Sequence, residues 1–149
     1  MISIEQIKKL REEIGISLAE CKKALEESGG DINLAKEILR KWGKNLAAKK
    51  AEREAKEGII ESYIHPGKRI GVLIQIHCET DFVARSEEFK NLAHEICLQI
   101  AAMNPLNKAS LLQQPWIRDE TKTIKDLIEE YIAKLEENII IKKFVRYKI

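Results

Sequence analysis

The sequence predicts an α+β fold, in which a helical N-terminal bundle precedes a three-stranded antiparallel sheet covered by helices on one face. Apolar residues recur at helical spacing through the first forty residues. A period of two replaces this spacing at 59–65 and 69–78, and a third strand-like run follows at 139–147. Two helical stripes lie between the second and third runs, and helices packed on one face of such a sheet form an α+β domain.

Residues that cap helix N-termini predict three short helices in the first forty residues. Ser3 and Gln6 have the spacing of a capping box, and so do Ser17 and Glu20. Asp31 can cap the third helix. Three helices of this length bury only a small core, so they predict a compact bundle.

Three segments of different composition predict the domain organisation. Residues 1–40 form the three-helix bundle. Residues 41–57 are rich in Ala, Lys and Glu with few apolar anchors, which predicts an exposed, basic helical linker. The positive charge is local, because the whole chain carries a formal net charge of only +2. Residues 58–149 form the α+β core domain.

Turn and capping residues order the elements of the core domain. A Pro-Gly pair at 66–67 predicts a hairpin between the first two strands. Ser86 and Thr123 begin the two covering helices, and Asn138 is expected to end the second one in a left-handed conformation. Between the two helices, the chain is expected to be irregular apart from one helical turn at 108–113.

Composition excludes several classes of protein. Of the 149 residues, 44% are hydrophobic and 34% are charged, which is typical of a globular protein with no overall charge suited to nucleic acid. No apolar run reaches transmembrane length, and the N-terminal residues lack the apolar core of a signal peptide. Cys21, Cys78 and Cys97 lie in apolar patterns without a disulfide spacing. These features predict a cytoplasmic protein with reduced thiols and no membrane partner.

The sequence contains no recognisable catalytic constellation. His94 and Cys97 have helical spacing, whereas His77 and Cys78 are neighbours in a strand and point to opposite faces. A zinc site needs four converging ligands, and a Cys–His nucleophile needs an orienting third group. We therefore predict that the chain is not an enzyme and that it holds no cofactor and no metal.

The stretch "HCETDFVARSEEF" has unusual residues for a connection between two elements. Thr80 or Asp81 can cap a brief helical turn, and Ser86 then caps the long helix. Phe82 is the open question, since it can fold back onto the sheet edge or point into solvent. An exposed Phe82 would be an anchor for a partner, and burial of a phenylalanine contributes about 1.5–3 kcal/mol.

Long motifs resemble a known family. The stretch "CETDFVAR", preceded by "SYIHPGKRIGVLIQI", is similar to the signature of bacterial elongation factor Ts. The N-terminal "LREEIGISLAECKKALEESGGDINLAKEILRKWG" resembles the ubiquitin-associated-like domain of that family, and "DETKTIKDLIEEYIAKLEENIIIKKFVRY" resembles the end of its core. The resemblance covers nearly the whole chain in the order of the family, and it identifies a short member.

The resemblance implies a guanine nucleotide exchange factor that acts on GDP-bound elongation factor Tu in translation. In the family, a Thr-Asp-Phe-Val segment enters the GTPase and disturbs its magnesium and phosphate site. Here that segment is Thr80, Asp81, Phe82 and Val83. The N-terminal domain of the family docks on the GTPase domain, and the matching residues here are Arg11, Leu18, Ala19 and Lys22.

The chain also departs from the family pattern. Long members carry two core subdomains, whereas this chain has room for one, so we expect a homodimer through the sheet or its edge strand 139–147. His77 stands where the family often has Asn, and Glu136 stands where it often has Gly. The resemblance allows indirect contact with the aminoacyl-tRNA complex, while no direct nucleic-acid partner is expected.

Three other functions are consistent with parts of the sequence. A non-catalytic interaction adaptor with a ubiquitin-associated-like domain would explain the bundle, but it gives no reason for the Thr-Asp-Phe-Val segment. A nucleic-acid-binding protein would use the basic linker, and its affinity would fall steeply with salt. A thiol or metal enzyme would depend on Cys78 or Cys97.

Overall fold

The computed structural model describes residues 2–149 and has the predicted α+β architecture. The helices are α1 (Ile4–Ile14), α2 (Leu18–Glu27), α3 (Ile32–Lys50), α4 (Asp81–Ala84), α5 (Glu87–Met103), α6 (Lys108–Gln113) and α7 (Ile124–Leu135). The strands are β1 (Glu57–Ile64), β2 (Ile70–Cys78), β3 (Pro115–Trp116), β4 (Asp119–Thr123) and β5 (Ile140–Lys148).

Side-chain caps begin the helices of the N-terminal bundle as expected. Ser3 and Gln6 form both halves of a capping box, whereas Ser17 only accepts from the N–H of Glu20. Asp31 caps α3 by accepting two backbone N–H groups. The bundle has a core of buried apolar residues, which Ala133 of α7 joins: Leu10, Ile16, Cys21, Ala24, Leu25, Ala35 and Leu39.

The predicted third helix and the predicted linker form one continuous helix, α3. The expectation of an exposed linker was wrong at Gly43 and Ala47, which are buried. At Gly43, an added Cβ would lie 3.1 Å from the Cβ of Ala133, so α3 packs closely against α7. The helix ends at Lys50, and residues 51–56 are not helical. The division of the chain at residue 40 stays a prediction.

The three long strands form an antiparallel sheet in the order β1-β2-β5. Val72, Ile74 and Ile76 point from β2 into a core that α5 and α7 complete. The opposite side of the sheet is uncovered. We call it the open face, and its large apolar residues are Ile60, Ile64, Leu73, Val145 and Tyr147. The register pairs Leu73 with Val145 and places Gly71 between Ile64 and Tyr147.

Two details between the second strand and the last strand differ from expectation. The helical turn at 108–113 is present as α6, but the hairpin of β3 and β4 that follows it was not predicted. Helix α7 ends at Glu136, whose φ of 57° is left-handed, so the expectation that Asn138 holds this position was wrong. Asn138 is buried instead, and its side chain donates to the backbone oxygens of Ala51 and Arg53.

Candidate protein-interaction site

Two caps fix the short segment that joins β2 to α5. The Thr80 hydroxyl accepts from the N–H of Val83 at 3.2 Å and begins α4. The Ser86 hydroxyl accepts from the N–H of Phe89 and donates to the oxygen of Val83 at 2.7 Å. The Ser86 cap was predicted from the sequence, and of the two candidates for the first cap, Thr80 and Asp81, the structure shows Thr80. Together the two caps leave α4 a single turn between two fixed ends.

The Thr-Asp-Phe-Val segment is exposed at its first three residues and buried at its last. Phe82 is 85% exposed, so the side chain points into solvent and does not fold back onto the sheet. Val83 is only 7% exposed and belongs to the core of the α+β domain. Asp81 is exposed and pairs with Arg85 at 2.6 Å. The buried valine therefore anchors the turn, while Asp81 and Phe82 are accessible.

A network of hydrogen bonds and one ion pair, centred on two carboxylates, holds the start of this segment. We call it the loop junction. It consists of Arg53, Glu79, Thr80, Glu137 and Asn138. The Glu137 carboxylate accepts from the N–H groups of Glu79 and Thr80, each at 3.0 Å, and from the Thr80 hydroxyl at 2.6 Å. In return, the Glu79 carboxylate accepts from the N–H of Asn138 at 2.7 Å and pairs with Arg53 at 2.7 Å. Sequence reasoning missed this network, because its hydrogen bonds between the segments at Glu79 and Glu137 join residues 57 to 59 positions apart.

The predicted docking residues of the N-terminal bundle are all exposed. Arg11 lies in the last turn of α1, and Leu18, Ala19 and Lys22 lie in the first half of α2. Leu18 is 43% exposed although it is apolar. Lys22 has an exposed neighbour in Glu26, 4.0 Å away, which is too long and too solvated to fix the lysine. These side chains belong to the bundle, whereas Phe82 belongs to the core domain.

The buried cysteines are unsuited to thiol chemistry. Burial raises the pKa of Cys78 to about 11, helped by the negative charge of Glu137, and burial raises the pKa of Cys97 to about 12. Both thiols are therefore protonated at neutral pH and are poor nucleophiles. Among residues 2–149, no group of three or more His, Cys, Asp and Glu side chains is arranged to hold a metal ion. No helix in this range is long and apolar enough to cross a membrane.

An exposed aromatic residue on a doubly capped turn, in a domain that also has an uncovered apolar sheet face, is characteristic of a protein that binds other proteins. The comparison with known families is consistent with this class. The family model described as "Elongation factor TS" matches residues 5–106 and, in a second match, residues 79–149. Residues 79–106, which include Phe82, thus take part in both matches.

Curated relatives lead to the same family. The elongation factor Ts of Thermoanaerobacter sp. (strain X514) is 44% identical over 193 aligned positions, which cover 99% of this chain and 95% of the relative. Elongation factors Ts from Thermodesulfovibrio yellowstonii and Thermotoga petrophila are 43% and 44% identical, with 99% of this chain and 96% of each relative covered. The chain belongs to the elongation factor Ts family and is thus a translation elongation factor.

Proposed function

We propose that this chain binds GDP-bound elongation factor Tu and promotes the release of GDP, so that GTP can bind. Membership in the elongation factor Ts family supports the exchange reaction. The exposure of Phe82 on a doubly capped turn is the structural observation that supports a mechanism through this loop. In this mechanism, the Thr80–Val83 turn inserts near the magnesium and phosphate site of the GTPase.

The physical basis of exchange is a reciprocal coupling between two ligands. A GTPase holds GDP through backbone N–H groups and through a magnesium ion, and both contacts demand precise geometry. An exchange protein that binds best when this geometry is disturbed must lower the affinity for GDP. The affinity for GDP falls by the same ratio by which GDP lowers the affinity for the exchange protein, because coupling free energies are reciprocal. No covalent bond changes in this chain, so exchange requires a wedge and an acceptor but no catalytic residue.

Asp81 supplies the acceptor in this proposal. Its carboxylate is paired with Arg85, but both side chains are more than half exposed. An ion pair of this kind contributes little to stability, so the carboxylate can exchange Arg85 for a group of the partner at low cost. Val83 is buried and supports the turn from below, while Thr80 is held by the loop junction.

Phe82→Ala is the direct test of the wedge. The Phe82 side chain is 85% exposed, so its removal leaves the fold intact, and the loss falls on the complex with elongation factor Tu. Burial worth about 1.5–3 kcal/mol corresponds to a loss of about 10- to 150-fold in promoted GDP release at subsaturating factor. Release of a fluorescent GDP analogue from elongation factor Tu measures this rate.

Leu106→Ala is the matched control, because Leu106 is 88% exposed and lies outside the Thr80–Val83 turn. This variant is expected to match the wild type. If the wild-type protein leaves GDP release unaccelerated, the exchange function fails. If Phe82→Ala exchanges as fast as the wild type, the wedge assignment fails, although the exchange function stands.

Arg11, Leu18, Ala19 and Lys22 form the proposed docking surface for the GTPase domain. Their exposure and their position on one bundle support this role. Because docking is remote from the phosphate site, Lys22→Glu should raise the concentration of factor needed for half-maximal exchange and leave the maximal rate nearly unchanged. A fall in the maximal rate alone, at unchanged half-saturation, would contradict the assignment.

The open face supports a second proposal, a homodimer in which two copies pack sheet against sheet. Three strands of eight or nine residues span about 14 by 27 Å, and the exposed apolar residues of the open face lie within this span. An exposed apolar patch on a sheet marks a candidate interface. The aligned span of 193 positions also exceeds the 149 residues of this chain, so relatives contain internal residues that this chain lacks. A second copy would cover the apolar face with an equal apolar face.

Sedimentation at micromolar concentration tests the dimer. The wild type should sediment as a dimer, and Leu73→Lys should be monomeric because it places a charge at the centre of the open face. Leu106→Lys adds the same charge at an exposed site outside the strands, between α5 and α6, and should stay dimeric. A monomeric wild type, or a dimer that survives Leu73→Lys, would contradict the sheet-to-sheet arrangement.

A further inference from the structure

The loop junction contains a reciprocal exchange of hydrogen bonds between two chain segments. Glu137 binds the backbone of Glu79 and Thr80, and Glu79 binds the backbone of Asn138. Each carboxylate thus closes over the segment that carries the other. Neither carboxylate is needed to cap a helix, since Thr80 caps α4 and Glu136 ends α7.

We propose that Glu137 is a positioning residue for nucleotide exchange, which acts by holding the turn that carries Phe82. This inference rests on the proposed function of the Thr80–Val83 turn. Glu137 does not need to touch elongation factor Tu. Its role is to fix where Phe82 stands before the two proteins meet.

The bonds of Thr80 show how the position of Phe82 depends on Glu137. The Thr80 hydroxyl donates to Glu137 and at the same time accepts from the N–H of Val83. Its single proton is therefore committed to Glu137, and its lone pair is directed at α4. The Thr80 hydroxyl holds the single turn of α4 through the N–H of Val83. A change at Glu137 therefore alters the position of this turn and of Phe82 within it.

The other side of the junction ties the turn to the end of the N-terminal helices. Glu79 pairs with Arg53, and the Asn138 side chain donates to the oxygens of Ala51 and Arg53, just beyond α3. The Glu79 side chain is only 11% exposed, so solvent competes weakly for these bonds. Three segments of the chain thus converge on the start of the turn, so its backbone is held before binding, which lowers the entropic cost of ordering the turn in the complex.

Substitutions at position 137 separate positioning from simple structural support. Glu137→Gln keeps an acceptor oxygen for the two N–H groups and gains an amide N–H that can donate to the Thr80 oxygen, whereas Glu137→Ala removes all three bonds. We expect promoted GDP release to fall about 10- to 100-fold for Glu137→Ala, since small misplacements of a reacting geometry have effects of this size, and to be largely retained by Glu137→Gln. The loss should appear in the maximal rate, because the remote docking surface is unchanged.

A paired set at Thr80 and a control at a neighbouring carboxylate complete the design. The isosteric Thr80→Val lacks the hydroxyl and should lose exchange as Glu137→Ala does, whereas Thr80→Ser keeps the hydroxyl and should lose less than Thr80→Val. Glu136→Gln alters an exposed carboxylate next to the junction and should leave exchange unchanged. Amide hydrogen exchange at Glu79 and Thr80, measured on the free protein, reports directly on the bonds to Glu137.

The amide measurement does not involve elongation factor Tu, so it distinguishes failure of the positioning role of Glu137 from failure of the proposed exchange function. Faster amide exchange in Glu137→Ala together with reduced GDP release supports the proposal. Faster amide exchange with unchanged GDP release overturns it, and so does a uniform loss in Glu137→Ala and Glu137→Gln that tracks global stability alone. A wild-type protein that leaves GDP release unaccelerated overturns the proposed function itself, whatever the amides show.

Discussion

Replacement of Glu136 by glycine should stabilise the protein. Glu136 ends α7 with φ 57° and ψ 31°, and its N–H donates to the oxygen of Ile132 at 2.8 Å. This left-handed conformation costs about 1–2 kcal/mol for a residue with a side chain. Glycine avoids that cost, but it loses about 0.5–1 kcal/mol more in conformational entropy on folding. The difference predicts a gain of about 0.5–1 kcal/mol from the backbone alone, which is a rise of about 1–4 °C in the melting temperature.

Urea denaturation at fixed protein concentration measures this gain, and Glu136→Ala is the control. A carboxylate at the C-terminal end of a helix opposes the helix dipole, so its removal alone contributes about 0.3 kcal/mol or more in both variants. Only Glu136→Gly also relieves the left-handed backbone. If Glu136→Gly is no more stable than Glu136→Ala, the backbone argument is refuted.

Two further predictions concern the stability of the core domain. Gly58→Ala should destabilise the fold by about 3 kcal/mol or more, because φ at Gly58 is 154° and an added Cβ would lie 2.1 Å from the oxygen of Ile76; near-wild-type urea denaturation would contradict this. Asp126→Asn should cost about 1 kcal/mol at neutral pH, since Asp126 bonds to Lys44 and completes the capping box with Thr123. Burial opposes ionisation of Asp126, but the bonds from Lys44 and Thr123 outweigh it and lower the pKa. Because the pKa of Asp126 is lowered in the folded state, its ionised carboxylate stabilises the fold at pH values above the ordinary pKa of about 4. This contribution is lost as the pH falls through the lowered pKa, so the unfolding free energies of wild type and variant should converge in acid. A stability difference that is constant from pH 7 to about 2 would contradict the assignment.

Local patterns were enough to predict most of the fold. The caps at Ser3, Ser86 and Thr123 depend on residues three positions apart, and the alternation of β2 depends on neighbours two positions apart. The sequence also placed the turn around Phe82 correctly between two caps. Patterning left the direction of the Phe82 side chain open, because the direction depends on which other elements cover the sheet edge.

Features set by distant contacts were the ones that sequence reasoning missed. Asn138 is a good residue for a left-handed helix end, but the helix ends at Glu136, and the Asn138 side chain donates instead to the distant carbonyls of Ala51 and Arg53. The strand β3 has only two residues, too few to show alternation. Glu137 resembles any surface glutamate of a helix end until the fold brings it to Thr80.

The continuity of α3 affects the entropy that is lost when a partner binds to both proposed contact areas. The helix is 19 residues long, about 28 Å, with its first half in the bundle and its second half packed on α7. A break near residue 40 would make the bundle a tethered ligand with its own orientational freedom. A single rod instead makes both proposed contact areas parts of one rigid body, so a partner that touches both loses translational and rotational freedom only once, and the second contact forms at high effective concentration.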